Sequence, residues 1–323
     1  MAVISKQLDG LRWTPRWVSH LGCVHGCLAY IGADISIPWL YGGTGHAFII
    51  NVHEVVCPSG PTAWNYVKLL FDLPLNLGFR VSGVYARNDN PVAFAAKQKE
   101  AWEHIRASID KGIPCYGWEL HAPEFYTIHG YDDVGYYFSG PGCDNGRGPK
   151  PWHEVGMSPI GVLEMYSIDS CAPEPDERVV KDAFSFALEH AENLEDWIFP
   201  GYRSGPPAYD LWAQALEDGT ANRFGQGYNA AVWAECRENA VVFLKEARAR
   251  LPGKADALFD EAIGHYTVVN AKLQALAELH PFQPPSGNEA ERVASPEGAV
   301  LVREAGAAEE HGLALLAQLR DAI

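Results

Sequence analysis

Short apolar runs separated by glycine and proline fill the first half of the chain and predict a mixed α+β domain. The runs are rich in aromatic and β-branched residues, which is typical of buried strands, and they predict strands over residues 47–52, 115–120, 125–131, 135–138 and 161–168. Apolar positions three and four residues apart predict helices over 23–31, 62–70 and 91–111. Early helices followed by consecutive strands favour an α+β fold with a mostly antiparallel sheet.

The second half of the chain repeats apolar residues every three or four positions, which predicts helices throughout. The predicted helices span 179–197, 206–217, 227–251, 254–279 and 298–323, with a polar, proline-rich loop over 281–295. Two prolines in the sequence Cys171-Ala-Pro-Glu-Pro-Asp mark a hinge between the halves. We therefore expect an α+β domain over residues 1–170 and an all-helical domain over residues 171–323.

The net charge of the chain limits the classes of partner that we expect it to bind. The 323 residues carry 25 Lys and Arg against 41 Asp and Glu, a formal net charge of −16 at pH 7. Phosphates and anionic membrane surfaces bind clustered positive charge, so we expect neither nucleic acid nor a membrane as partner. No run of 18 apolar residues occurs, and the first 16 residues lack the apolar stretch of a secretory signal. The seven cysteines are odd in number and widely spread, so a reducing cytoplasm is the expected location.

The segment 20–32, HLGCVHGCLAYIG, places two cysteines in a predicted apolar helix. The positive end of a helix dipole favours the reactive thiolate, so Cys23 at the helix start and Cys27 one turn later are candidate nucleophiles. The alternative interpretation is two small buried apolar side chains, because cysteine is among the most buried residue types. Cys23 and His25, with Cys27 or His46, also suggest a metal site, although alternate residues of a helix diverge.

A second segment, 112–142, reads as a strand, a turn and a second strand that ends in Gly-Tyr-Asp-Asp, followed by a hairpin. An early cysteine-bearing helix followed by G-x-P, GYDD and YYFSGP resembles the papain-like fold of cysteine peptidases. The likeness is greater to the C39-like branch and to the butirosin biosynthesis protein H type of acyltransferase, and it covers roughly residues 15–170. It implies a cysteine nucleophile on the helix, a general-base histidine opening the strand before the GYD turn, and an orienting aspartate on the next strand.

The chain departs from the family pattern at both partner positions. Glu124 or Phe125 falls where the resemblance implies the base, and Ser139 or Gly140 falls where it implies the aspartate. The reference pKa of a glutamate lies far below that of a thiol, so Glu124 could act on a cysteine only if burial raised its pKa. A Cys-His-Asp triad is therefore not expected at the family positions.

Strand alternation limits which candidate bases can act together. Glu124 and Tyr126 face one side of the predicted strand and His129 faces the other, so Glu124 and His129 share a cleft only if a β-bulge intervenes. His46 follows the glycine-rich sequence YGGTG, a pliant loop that could bring a base near Cys23.

These patterns predict a cysteine-dependent enzyme that transfers an acyl group, or hydrolyses an amide or ester, on a small molecule. The resemblance implies a role in secondary metabolism, a free or acyl-carrier-linked small-molecule substrate, and no cofactor. The candidate catalytic residues are Cys23, Cys27, His46, Glu124 and His129. The strand end 118–121 places two ionisable groups where a pocket rim could form, and the candidate substrate contacts are Trp118, Glu119, Tyr126 and Asp132.

Two other functions remain open from the sequence. A non-catalytic small-molecule-binding protein could keep a papain-like frame with a degenerate site. A metal-binding protein could use Cys23, His25 and His46.

Overall fold

The computed structural model describes residues 6–192, 195–283 and 290–323. Its helices are α1 (Ser19–Tyr30), α2 (Ile37–Gly43), α3 (Val67–Phe71), α4 (Leu73–Asn76), α5 (Pro91–Asp110), α6 (Asp176–Ala191), α7 (Pro206–Glu217), α8 (Arg223–Arg250), α9 (Asp256–Leu279) and α10 (Pro296–Ala322). Its strands are β1 (Lys6–Gln7), β2 (Asn51–His53), β3 (Phe79–Arg87), β4 (Cys115–Trp118), β5 (Phe125–Tyr131), β6 (Gly135–Ser139), β7 (Arg147–Pro151), β8 (Val162–Ser170), β9 (Tyr202–Ser204), β10 (Ala221–Asn222) and β11 (Arg292–Val293). The predicted α+β class is confirmed.

The chain folds into two compact units. The first unit contains Met1–Ser36 and Gly78–Pro173, and the second contains Ile37–Leu77 and Glu174–Ile323. The grouping of residues 37–77 with the later helices is a division that the sequence analysis did not consider.

The larger sheet belongs to the first unit and has the strand order β3-β8-β4-β5-β6-β7, with β1 paired to β5. All of its pairings between described residues are antiparallel. On β4 the Tyr116 hydroxyl meets His20 of α1, while the thiol of the adjacent Cys115 lies near Ser108 of α5. Neighbouring strand residues point to opposite faces, so α1 and α5 cover opposite faces of this sheet.

Helix α5 shows why some predicted bounds are accurate. The side chain of Asn90 accepts hydrogen bonds from the backbone N–H groups of Val92 and Ala93, both at 3.1 Å, and Pro91 occupies the first helical position. Gly112 follows the helix with φ +79°, a conformation that ends helices. Strong local signals at both ends therefore define the helix, whereas β3 was not among the predicted strands although Gly78 and the sequence Asn88-Asp89-Asn90-Pro91 bound it.

The second unit consists mainly of helices and contains a fully buried ion pair. Arg237 of α8 is fully buried, and its Nε lies 2.7 Å from Oε2 of Glu309 of α10. Its guanidinium also donates to the backbone carbonyls of residues 47–49 at distances between 2.8 and 3.3 Å. The prediction of a strand over 47–52 is wrong for its first four residues, because a buried arginine takes the place of a strand partner.

Three short strands correct the expectation of an all-helical second half. β9 pairs with β2, and β10 pairs with β11. The predicted helix over 62–70 starts only at residue 67, since the preceding residues form turns and Trp64 pairs with Ile198 in an isolated bridge. Part of the predicted loop 281–295 lies outside the described residues. None of the described helices is both long enough and apolar enough to cross a membrane.

Replacing Arg237 with Met should lower the free energy of unfolding by about 3–5 kcal/mol, because it leaves the Glu309 carboxylate buried without its partner. Urea denaturation followed by tryptophan fluorescence measures this. The control is Arg303→Met, which breaks an exposed ion pair with Glu217 and should change stability far less. Equal losses for the two variants would contradict a special role for Arg237.

Replacing Gly26 with Ala should destabilise the first unit. A Cβ atom there would lie 1.9 Å from the carbonyl oxygen of Arg12, a backbone atom that cannot move aside cheaply, and overpacking of this kind costs about 1–3 kcal/mol. Gly264→Ala in α9 is the matched control, since its Cβ would meet no atom within 4 Å. Helix propensity predicts a gain of up to about 1 kcal/mol there. Thermal unfolding of both variants tests the contrast.

Candidate functional site

The Cys23 thiol lies inside the packed interface between α1 and the sheet. Its side chain is fully buried. Burial raises the pKa of this thiol to about 12, the nearby Thr127 hydroxyl acts to lower it, and the negative charge of Glu124 acts to raise it. Helix α1 starts at Ser19, four residues before the cysteine, so the thiol is not at the helix N-terminus as the sequence analysis assumed. Desolvation, not the helix dipole, dominates its ionisation.

Cys27 is also fully buried, and its thiol lies 3.8 Å from the carbonyl oxygen of Cys115. Burial raises its pKa well above the ordinary value, and the neighbouring Cys23 and Cys115 act in the same direction. Both early cysteines therefore have the surroundings of structural core residues in this conformation.

The Cys23 thiol and two buried hydroxyl groups, those of Thr127 and Ser139, form a row that we call the Cys-Thr-Ser row. Thr127 of β5 lies beside the thiol, and Ser139 of β6 is its direct cross-strand neighbour. Directly paired residues share a face of the sheet. Both hydroxyl oxygens are buried, and neither has a hydrogen-bond partner of ordinary geometry among the described residues. No sequence pattern pointed to a Cys-Thr-Ser row; the alternation along residues 124–131 is the signal that places Thr127 on the face opposite Glu124.

Glu124 lies at the edge of this row and is half-buried. Its carboxylate accepts a hydrogen bond from the hydroxyl of Ser19, and the Ser19 oxygen accepts one from the backbone N–H of Phe125 at 3.0 Å. These bonds tie the first residue of α1 to the start of β5. No sequence pattern had pointed to Ser19.

His20 lies on α1 one turn before Cys23. It is buried, its Nε2 lies 3.2 Å from the Tyr116 hydroxyl, and its ring packs against Phe125 with centroids 5.0 Å apart. Burial lowers its pKa to about 3, which keeps the imidazole neutral at physiological pH. Such a group is a poor acceptor for a proton from Cys23.

His129 lies at a β-bulge, where the pairing of β5 with β6 shifts between Ile128 and Gly130. The ring is half-buried, and its buried Nδ1 has no hydrogen-bond partner among the described residues. Burial lowers the pKa of His129. A hydrogen bond to the Phe138 carbonyl acts to raise this pKa, and the nearby positive charge of Arg12 acts to lower it. Within the described residues, His129 forms no hydrogen bond with the thiol of Cys23 or of Cys27.

The remaining catalytic and metal candidates are held by local contacts. His46 belongs to the second unit, where its Nδ1 lies 3.1 Å from the Thr44 hydroxyl. In the first unit, Nδ1 of His25 lies 2.8 Å from the Thr14 hydroxyl. The described residues contain no group of three or more His, Cys, Asp or Glu side chains placed to hold a metal ion.

Two of the predicted substrate contacts have structural partners. Asp132 accepts hydrogen bonds from the backbone N–H groups of Val134 and Gly135 and from the Tyr137 hydroxyl, at 2.8 to 3.0 Å. Burial acts to raise the pKa of Asp132, but these bonds outweigh it and lower the pKa. The Tyr126 hydroxyl accepts from the backbone N–H of Ala122. These contacts stabilise the turns at the two ends of β5.

Glu119 and Trp118 lie where β4 ends. Glu119 has φ +56°, a strained conformation for a residue other than glycine, and accepts a hydrogen bond from Ser158 at 2.7 Å. Burial raises its pKa. Trp118 is buried against Phe125, with ring centroids 5.0 Å apart, and its indole nitrogen has no partner among the described residues.

The residues that directly follow Glu119 in the chain help to line an open cleft of about 250 Å³. It is lined by Leu120, His121, Phe138, Arg147, Gly148, Pro149 and Lys150. The predicted pocket rim, 118–121, contributes two of them. The β7 residues in this lining carried no signal in the sequence analysis.

Comparison with known proteins adds no assignment: no protein-family model matches the chain, and no curated protein sequence matches it significantly.

Alkylation of the native protein tests the ionisation of the early thiols. At a pKa of about 12, roughly one thiol in 10⁴ is ionised at pH 8. We therefore expect iodoacetamide to label Cys23 and Cys27 far more slowly than the partly exposed Cys57 and Cys171, as measured by peptide mass spectrometry over time. Labelling of Cys23 should accelerate with rising pH as the thiolate fraction grows. Unfolded protein, in which all seven cysteines react, is the control, and equal native rates for Cys23 and Cys171 would contradict the prediction.

Proposed function

We propose that the first unit has a papain-like frame of the C39-like kind. Its support is the order of elements: a helix that carries Cys23, followed by an antiparallel sheet in which β5 and β6 present Thr127 and Ser139. In the family that the sequence resembles, the base and its orienting aspartate come from these two consecutive strands. Here the same row contains two hydroxyl groups that cannot accept a proton from a thiol at neutral pH.

We propose further that the protein binds a small molecule on this frame without using a cysteine nucleophile. The absence of a cysteine nucleophile is supported by the surroundings of Cys23. Its thiol is fully buried, its pKa is raised, and it lies beside Thr127 of β5. Nucleophilic catalysis by cysteine needs a thiolate or a base within hydrogen-bond reach. The neutral His20, with its strongly lowered pKa, does not supply one.

The cleft beside the turn between β4 and β5 supports the binding part of this proposal. At about 250 Å³ the cleft is smaller than the roughly 300–1,000 Å³ of typical ligand pockets, so it has room for a compact small molecule, and cationic side chains converge on it. Glu119, next to the cleft along the chain, has a strained backbone, a feature that concentrates at functional sites.

Cysteine-dependent acyl transfer, or amide or ester hydrolysis, is the second candidate. Glu124 favours it, because this half-buried carboxylate lies near enough to influence the Cys23 pKa. In that reaction the carboxylate would take the thiol proton as the sulfur attacks the substrate carbonyl. The leaving group would depart with a proton, and water or an acceptor would then release the acyl group. The conformation described here opposes the first step, since burial raises the thiol pKa and the Glu124 charge acts in the same direction.

Incubation with a simple thioester, S-acetyl-N-acetylcysteamine, separates the two candidates. Attack by Cys23 would move the acetyl group to its sulfur and release the thiol of the donor. We expect intact-protein mass spectrometry to show no acetyl group that depends on Cys23. Wild type, Cys23→Ser and the control Cys171→Ser should therefore give the same low background. An adduct present in wild type and Cys171→Ser but missing in Cys23→Ser would overturn the non-catalytic proposal.

A further inference from the structure

We propose that the cleft lined by His121, Arg147 and Lys150 binds the anionic head of a small organic acid, a carboxylate or another oxyanion. This inference names the ligand class of the proposed binding function and rests on that function. The three side chains come from the turn after β4 and from β7, and they converge on one space of about 250 Å³.

The local charge of the cleft is opposite to that of the whole chain. The chain carries 16 more acidic than basic side chains, yet all ionisable residues that line the cleft are basic. Lys150 is paired with Glu154 and His121 favours the neutral form, so Arg147 supplies the main net positive charge of the cleft, and this local charge attracts anions. The net charge of the whole chain is negative, so it does not contribute to the attraction of anions.

Arg147 is the principal candidate ligand. Its Nη1 lies 2.9 and 3.0 Å from the two ring nitrogens of His121, and it forms no ion pair with a carboxylate among the described residues. A guanidinium presents a planar fork of N–H donors that fits a carboxylate or a similar oxyanion. A cation beside an imidazole, with no carboxylate paired to it, leaves donor capacity for an incoming anion.

His121 makes the site sensitive to pH. Partial burial lowers its pKa, and the charge of Arg147 acts in the same direction, so the free site favours neutral imidazole. The other charged groups around the cleft are Lys150, its partner Glu154 at 3.2 Å, and Glu119, whose pKa responds to Lys150. A bound oxyanion would favour the protonated imidazole and raise its pKa. Affinity should therefore increase as the pH falls.

The apolar part of the lining distinguishes an organic acid from an inorganic anion. Leu120, Phe138 and Pro149 share the cleft with the basic groups, but Leu120 and Phe138 are buried and Pro149 offers most of the accessible apolar surface. An apolar body placed against Pro149 would leave water while its anionic head meets Arg147. A planar aromatic acid should accordingly bind more tightly than a compact inorganic oxyanion.

Binding of benzoate and of sulfate to the full chain tests the inference, because the charge of both probes is constant between pH 5.5 and 8. Calorimetric titration at matched ionic strength, with chloride as the reference anion, should show saturable benzoate binding that is tighter than sulfate binding. Benzoate affinity should be several-fold higher at pH 5.5 than at pH 8. Arg147→Gln should weaken it about tenfold or more. Arg87→Gln, at an exposed arginine of the same unit, is the matched control and should leave it unchanged.

A second variant assigns the pH effect. His121→Gln should retain benzoate binding at pH 8 and lose the increase at pH 5.5. Circular dichroism checks that all variants are folded. The inference fails if neither probe saturates at pH 5.5, or if Arg147→Gln and Arg87→Gln weaken binding equally. The thioester experiment reports on Cys23 alone, so it can overturn the non-catalytic proposal while anion binding at the cleft stands, and the reverse outcome is equally distinguishable.

Discussion

Close packing of α1 against the sheet of the first unit decides the chemistry of the candidate site. Gly22 and Gly26 have no side chains, and a Cβ atom at either position would overlap the backbone of residues 12–14. The chain before α1 can therefore lie directly against the helix, while Cys23 on a neighbouring face of the helix lies beside Thr127 of β5. Cys23, enclosed in this interface, loses contact with water, and desolvation outweighs the Thr127 hydroxyl, which favours the thiolate.

The polar groups of this interface differ from the buried polar network of the second unit. Arg237 and Glu309 are fully buried, yet each finds several partners, including the hydroxyls of Tyr209 and Tyr266 for the carboxylate. Thr127 and Ser139 lack ordinary hydrogen-bond partners among the described residues. Buried polar groups without partners cost free energy. The Cys-Thr-Ser row therefore carries a cost in stability that the Arg237–Glu309 pair avoids.

The turn between β4 and β5 contributes both to the open cleft and to the surroundings of the buried Cys23 thiol. The turn between β4 and β5 supplies Leu120 and His121 to the cleft and ends at Glu124, which accepts the Ser19 hydrogen bond. Glu119, strained at the start of the same turn, is held by Ser158. This turn positions the cleft and closes one end of the interface that encloses Cys23.

The sequence by itself determined the elements that depend on local signals. Asn90, Pro91 and Gly112 define α5 through capping and backbone conformation, and alternation with turn residues places β5 and β6. The tertiary structure alone decided what depends on distant residues. Burial raised the Cys23 pKa, a buried Arg237 kept residues 47–50 out of a strand, and β7 brought Arg147 to His121, 26 residues earlier in the chain. Periodicity reports which face of an element is apolar, but desolvation and charge pairing depend on which elements meet, and single-sequence patterns do not contain that information.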